Sequence, residues 1–201
     1  MSCAKPRRQR RGKTKVHNIR RIAAPVSEVL LVAQVKQHAR IDTNSDDAYI
    51  AELIEAAVSY TDGYEGILGK ALITQTWAAN LDAFEDFYLP LGPNASVQSI
   101  QYYDAQNVQQ SFAGFEQRDL KISLSDGASW PGVYSRADAV TITWTAGYGD
   151  GWNDVPMSIR IGLMHIVAAW YENRESVGQS SPELPTMGMK ILMANRAAGY
   201  A

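Results

Sequence analysis

The chain has 201 residues, of which 46% are hydrophobic and 20% charged, and this length is enough to bury a substantial core. It contains no run of about 18 apolar residues, and no apolar segment follows its basic N-terminus, so we expect neither a membrane span nor a secretory signal. Because Cys3 is the single cysteine, an internal disulfide and a cysteine-based metal cluster are excluded, and a reducing compartment is expected.

The formal net charge of −2 conceals an uneven distribution. Residues 1–21 contain nine of the 19 lysines and arginines and none of the 21 acidic residues, so ten basic residues face 21 acidic ones in the rest of the chain. Two interpretations of this arm stay open: a solvated tail with nothing to bury, or an arm that contacts nucleic acid or an acidic protein surface. The residues that would make such contacts are Arg7, Arg8, Arg10, Arg11, Lys13 and Lys15.

The stretch after the arm predicts two helices. Residues 26–31 are apolar and β-branched enough for a short extended segment, and residues 32–40 then fit a short helix with Val35 and Ala39 on one side. A second helix is expected at about 46–65, because apolar residues recur there at intervals of three and four. Its stripe comprises Ile50, Leu53, Ile54, Ala57, Val58 and Thr61.

The turn at 42–47 begins like a calcium-binding loop, with Asp, Asn and Asp at its first, third and fifth positions. However, the sixth position is Asp47, where such a loop needs glycine, and the twelfth is Leu53, where it needs glutamate. We therefore interpret the turn as a cap of the second helix and expect no metal there.

From residue 71 to residue 148 the apolar period changes to two, which is typical of strands. Strands are expected at 73–80, 96–104, 120–124 and 139–145, with a turn at 104–107. Segments rich in Gly, Pro and Asp separate them, so an antiparallel β unit is predicted between two helices.

The best-specified helix follows the β unit and is expected from Pro156 to Val177. Asn153 and Asp154 are candidate caps, Pro156 suits a first turn, and Gly178 is the expected stop. Its apolar residues extend beyond one stripe, so we expect it to be covered on more than one face. His165 lies on this helix and is interpreted as a core or interface histidine rather than as a base or ligand.

These elements predict an α+β fold: a small helical bundle with an antiparallel β unit inserted between the second helix and the long third helix, an extended N-terminal arm and a C-terminal tail. The boundaries are 1–25 for the arm, 26–70 and 152–178 for the helical body, 71–151 for the β unit, and 179–201 for the linker and tail. The tail is expected to dock onto a neighbouring molecule, because its apolar residues are too few to fold alone. These residues are Met187, Met189, Ile191, Leu192 and Met193.

No pattern in the sequence indicates catalysis. The three histidines are far apart in the sequence, no Gly-x-Ser-x-Gly elbow occurs, and the glycine-rich stretch 147–151 lacks the Lys-Ser/Thr of a phosphate loop. We therefore expect no enzymatic activity, no cofactor, and no catalytic, cofactor-binding or metal-binding residues.

Several stretches, taken in order, resemble the phage head–tail connector family, whose members are also called head completion or adaptor proteins. They are LVAQVKQHARID at 31–42 with DDAYI at 46–50, GKALITQTW at 69–77, WTAGYG at 144–149, and the run from His165 to Glu175. The resemblance covers roughly residues 26–195. It has two departures: Val32 stands where the family usually has a capping Ser or Thr, and the arm at 1–21 is not part of the family pattern.

The resemblance implies a structural protein of the neck of a virion, or of a phage-derived particle such as a gene transfer agent, made in the bacterial cytoplasm. Copies of it would form a ring, typically twelvefold, that docks beneath the portal protein, meets a tail-side stopper or tail terminator protein and lets DNA pass. No membrane contact is implied. Aromatic residues expected to be exposed on the β unit would suit contacts between subunits: Tyr102, Tyr103, Phe112 and Phe115. A DNA-binding protein that acts through its basic arm is the alternative.

Overall fold

A computed structural model describes residues 16–173 and 186–197. In chain order the elements are β1 (Val16–Ala23), α1 (Val32–Ala39), α2 (Asp47–Thr61), β2 (Gln75–Leu81), β3 (Phe87–Tyr88), β4 (Ser96–Tyr103), β5 (Gln109–Ser111), β6 (Phe115–Arg118), β7 (Lys121–Leu124), β8 (Val140–Ala146), a short 3₁₀ helix (Trp152–Asp154), α3 (Met157–Glu172) and α4 (Thr186–Ala194). The predicted α+β fold, with antiparallel strands between the second helix and the long third one, is confirmed.

The β unit consists of two antiparallel sheets. The larger sheet has the strand order β1-β2-β8-β4-β5, and the smaller one has the order β3-β7-β6. Strands β2 and β8 pair without interruption, from Gln75 opposite Ala146 to Leu81 opposite Val140. Side chains from both sheets meet in one core, so the two sheets stabilise each other: Trp144 and Ile100 come from the larger sheet, and Ile122 from the smaller one.

The four helices enclose a second core. Val35 of α1, Ile50 and Ile54 of α2, Leu163 of α3 and Leu192 of α4 are all buried in it. The stripes predicted from the sequence are therefore the faces by which α2 and α3 pack. Burial of a large aliphatic side chain contributes roughly 1.5–3 kcal/mol, so this shared core accounts for much of the stability of the helical part.

Strand β1 occupies residues that the sequence analysis assigned to the basic arm, whereas residues 26–31, which were expected to be extended, form no strand. Val16 and Ile19 of β1 pack against the core of the sheets. The pairing of β1 with β2 is irregular, because register shifts follow His17 and Arg21 and Asn18 has a φ of +49°. These irregularities explain why the strand shows no alternation of apolar and polar residues.

The other predicted strands are found within two residues of their expected limits, as β2, β4, β7 and β8. The turn at 104–107 is confirmed: the N–H of Asn107 donates to the carbonyl oxygen of Asp104 at 2.8 Å. Strands β3, β5 and β6 were not predicted. They contain two, three and four residues, which is too few for a period of two to be recognised.

Helix α2 ends at Thr61, earlier than the predicted limit of Glu65. The hydroxyl of Thr61 donates back to the carbonyl oxygen of Ala57 at 2.9 Å, and Asp62 is already extended. Gly63 then has a φ of +82°, a conformation that glycine adopts without steric cost. The chain therefore leaves the helix two residues before Gly63, and Gly63 allows the turn that follows.

Both ends of α3 differ from the prediction. Pro156 is the N-cap residue rather than part of the first turn, and the carboxylate of Asp154 accepts from the N–H of Gly151 instead of capping α3. The helix ends at Glu172, well before Gly178. There the side chain of Asn173 donates to the carbonyl oxygen of Ala169 at 2.8 Å, and this local bond competes with continuation of the helix.

Candidate interaction site

Within residues 16–173 and 186–197, no three His, Cys, Asp or Glu side chains lie together as metal ligands would. None of the helices in these ranges is both long and apolar enough to cross a membrane. The turn at 42–47, which begins like a calcium-binding loop, is instead bonded to α1. The ammonium group of Lys36 donates to Asn44 at 2.5 Å and to Asp47 at 2.7 Å, which ties α1 to the start of α2.

The pair His38 and His165 connects α1 to α3, and the two rings meet edge to face with their centroids 4.8 Å apart. Partial burial lowers the pKa of His38, and the charge of His165 lowers it further. The Cα of Gly188 in α4 lies against the other side of His165, since a Cβ built at Gly188 would be 3.0 Å from the Cβ of His165. His165 is thus a packing residue among three helices.

Asp62 is the centre of a polar junction between the end of α2 and the larger sheet. Its carboxylate accepts from the N–H of Leu72 at 2.7 Å and from Nε2 of Gln75 at 2.9 Å. A guanidinium nitrogen of Arg21 lies 3.7 Å from it. Burial raises the pKa of Asp62 above its usual value, although each of these donors favours the charged form. The carboxylate is fully engaged in holding β1, β2 and α2 together, which indicates a structural role.

Helix α4 packs against α3 of the same chain, antiparallel to it. Leu192 is buried against Gly162, and the hydroxyl of Ser158 donates to the side chain of Asn195 at 3.1 Å. Two methionines of the predicted docking tail stay outside this contact: Met187 is 61% exposed and Met193 is 38% exposed. The apolar tail is therefore used in part within its own chain, and docking of the exposed part onto a neighbour stays a prediction.

The four aromatic residues that were expected to be exposed on the β unit are partly covered within the chain, which corrects the sequence-based expectation. Phe84, Phe112 and Trp130 form a cluster with ring centroids 5.1–5.2 Å apart, and Tyr102 meets Phe84 at 5.4 Å. Tyr102, Phe112 and Phe115 are half-buried against the core of the sheets. Tyr103 lies beneath the guanidinium of Arg136, 4.0 Å from it. Tyr102 and Phe112, which were expected at an interface, thus pack against other aromatic residues of the same chain. Spacing along the sequence does not reveal such contacts.

Other apolar side chains do face solvent. Val26 is 88% exposed on the segment between β1 and α1, and Ile22, Tyr64, Tyr88 and Met157 are also exposed. They were not expected from the sequence, because four lie outside the regular apolar stripes and Met157 was assigned to a helix expected to be covered on more than one face.

Three neighbouring clefts lie on this side of the molecule, and α2 lines the first two of them. The first, which we call the α2 cleft, lies between α2 and residues 25–32 and has a volume of about 370 Å³. The second, of about 560 Å³, lies between α2 and β1 and shares Pro25, Glu55 and Val58 with the α2 cleft. The third, of about 540 Å³, contains Tyr64 and Tyr88. No catalytic constellation lies in any of them, so we consider them as contact surfaces.

The predicted arm residues lie outside the described part of the chain: Arg7, Arg8, Arg10, Arg11, Lys13 and Lys15. Of the basic residues in 1–21, Arg20 and Arg21 are described, and both are on β1. Arg20 donates to the side-chain oxygen of Asn80 at 2.9 Å, and Arg21 donates to Gln75 at 3.3 Å. These two arginines therefore help to attach β1 to the sheet.

Comparison with known proteins identifies the type of molecule. The family described as phage gp6-like head–tail connector protein matches residues 30–189. A search of curated proteins finds no significant match. Among solved structures, a chain of the virion of a native gene transfer agent particle is 24% identical with a TM-score of 0.72, covering 92% of this chain and 98% of its own length.

Two further structures share the fold. A chain of the neck of an empty gene transfer agent particle, computed with C6 symmetry, is 24% identical with a TM-score of 0.71 and covers 91% of this chain and 97% of its own length. A chain of the neck of a native particle, computed with C12 symmetry, is 22% identical with a TM-score of 0.65 over the same shares. The fold is therefore found over almost the whole length of these chains.

Proposed function

The chain belongs to the phage gp6-like head–tail connector family, and from this premise we propose that it forms a twelvefold ring at the neck of a virion or of a gene transfer agent-like particle. The ring would sit beneath the portal protein, receive a stopper or tail terminator protein on its other side, and surround the channel through which DNA passes. The observation that carries the proposal is the family match over residues 30–189.

Three further observations support it. The chain shares its fold with chains from necks of gene transfer agent particles, and one of these necks was computed with C12 symmetry. Polar side chains at the junctions between its elements, such as the carboxylate of Asp62, form hydrogen bonds within the fold. Exposed apolar side chains, among them Val26 on the segment between β1 and α1 and Met187 on the last described helix, are available to other molecules.

The contacts within the neck follow from these surfaces. We expect Met187 and Met193 on α4 to touch either a neighbouring subunit or the portal, since they are exposed while Gly188 and Leu192 of the same helix are buried against α3. We further expect the protein to act without catalysis, as a mechanical joint. The alternative from the sequence, DNA binding through the basic arm, gains no support from the relatives.

Electron microscopy tests the proposal. The purified full chain, alone and after mixing with tail-less particles that carry a portal, should give rings with a central channel and density at a single vertex. A matched variant, Met187→Lys, should weaken the attachment to the particle while the far-ultraviolet circular dichroism of the chain stays unchanged. A chain that stays monomeric at all concentrations and does not bind particles would contradict the proposal.

A further inference from the structure

The α2 cleft combines an apolar surface with uncompensated negative charge. Val29 and Ile54 line it and are buried, whereas Glu28, Glu52 and Glu55 line it and are exposed. Among the described residues, no lysine or arginine lines this cleft. None of the three carboxylates forms a hydrogen bond or ion pair with another residue in the described ranges. A cleft of this kind suits a segment that carries several cations on long aliphatic side chains.

The chain itself contains such a segment. Residues 1–15 hold seven of the 19 basic residues and none of the 21 acidic ones, so the rest of the chain has 12 basic residues against 21 acidic. Arginine can lay its methylene groups on an apolar surface while its guanidinium pairs with a carboxylate at the rim. We propose that the α2 cleft receives residues 1–15 of a neighbouring copy of this chain in the ring. This inference rests on the proposed function, because it requires that copies assemble.

The course of β1 argues for a neighbour rather than for the same chain. Residue 15 is followed directly by Val16, which lines the third cleft beside Tyr64 and Tyr88. The α2 cleft lies beyond the other end of β1, which is eight residues long and so spans roughly 25 Å.

To enter its own α2 cleft, the arm would have to reverse its direction at once and return along β1. It would then have to run back past the second cleft, which is lined by Arg20 and Arg21 but also by the acidic residues Glu55, Asp62 and Glu65. The reversal of direction, and not charge, therefore disfavours this path. An arm that comes from an adjacent subunit does not need this reversal to reach Glu28, Glu52 and Glu55. The family match begins at residue 30, so the arm lies outside the matched region, whereas α2, which forms one wall of the cleft, lies within it.

The single native cysteine, Cys3, makes the proposal testable because it lies in the proposed ligand. Two chains are co-expressed: the native chain with a C-terminal tag, and an untagged Cys3→Ser chain that also carries Ala51→Cys. Ala51 lines the α2 cleft and is exposed, and its substitution leaves the three glutamates in place. After mild oxidation, a disulfide between the tagged and the untagged chain is expected on a non-reducing gel.

The control uses Ala105→Cys in place of Ala51→Cys, because Ala105 is equally exposed but lies in the turn at 104–107 of the β unit. The yield of the mixed disulfide should be at least about fivefold lower in this control, and also when Glu52→Gln and Glu55→Gln are added to the Ala51→Cys chain. High salt should lower it as well, since the pairs are exposed to solvent.

Equal yields in the test and control chains would overturn the proposal. A disulfide within one chain, in an Ala51→Cys variant that keeps Cys3, together with no mixed product, would place the arm in its own cleft and overturn it too. The same samples are imaged by electron microscopy. Rings without the mixed disulfide refute this inference and leave the proposed function intact, whereas the absence of rings counts against the proposed function itself.

Discussion

The contact between α3 and α4 depends on two glycines, and substitution of one of them gives a sharp test of how α4 is held. A Cβ placed on Gly188 would lie 3.0 Å from the carbonyl oxygen of Gly162 and 3.0 Å from the Cβ of His165. Both are atoms close to the backbone of α3, so a rotation of a flexible side chain cannot relieve the contact. The two helices must move apart by a few tenths of an ångström for Gly188→Ala to be accommodated.

Two effects of Gly188→Ala oppose each other. In a helix, alanine is favoured over glycine by about 1 kcal/mol. Overpacking of a close contact costs about 1–3 kcal/mol. Because the opposing atoms belong to the backbone and to a Cβ, we expect the steric cost to exceed the gain, with a net loss of about 1 kcal/mol in the free energy of unfolding.

The measurement is urea unfolding followed by circular dichroism, combined with hydrogen exchange of the amides of α4. Gly188→Ala should lower the unfolding free energy and speed exchange in Thr186–Ala194, since a nine-residue helix is marginal without its packing partner. Gly132→Ala is the matched control, because a Cβ there meets nothing within 4 Å. If Gly188→Ala were more stable than the native chain, the close crossing of α3 and α4 would be refuted.

Three further predictions concern single side chains. Leu192→Ala should lower the unfolding free energy by about 2–5 kcal/mol by opening a cavity between α4 and α3, whereas Met187→Ala at an exposed site should change it by less than about 0.5 kcal/mol in the same urea titration. His165→Asn should raise the pKa of His38 towards 6.5 in an NMR titration, because one cause of its lowering is removed; an unchanged pKa would contradict the contact. Burial raises the pKa of Asp62 in the folded state above 3.8. The native chain should therefore gain unfolding free energy relative to Asp62→Asn as the pH falls through that raised pKa, and the gain should be complete below 3.8. A difference in unfolding free energy that does not change with pH would refute this.

The helices and the longer strands were predictable because their sequences repeat a pattern over many residues. Ile50, Ile54 and Leu163 recur on buried faces, and the alternation in β8 gives a strand whose Val140, Ile142 and Trp144 are buried while the residues between them are half-buried. The ends of elements were less predictable. Asn173 stops α3 through a bond of its own side chain, and no rule based on glycine alone would select that residue over Gly178.

The contacts between distant parts of the chain could not be read from local patterns. The sequence of β1 has no regular alternation of polar and apolar residues, and the strand pairs with the edge that β2 supplies, where Val16 and Ile19 are also partly buried. Phe84 and Trp130 cover Phe112, although no period along the chain connects the three. For the same reason the α2 cleft was missed, because it forms only when residues 25–32 lie against α2.

The central claim is that copies of this chain form the ring at the neck of a particle. An electron cryomicroscopy reconstruction of the neck of particles that contain the protein, computed without imposed symmetry, tests it most directly. The account predicts twelve copies around an open channel, each with the helices and sheets described for residues 16–173 and 186–197. A neck in which this fold is absent, or in which it occurs as an isolated copy away from the channel, would contradict the account.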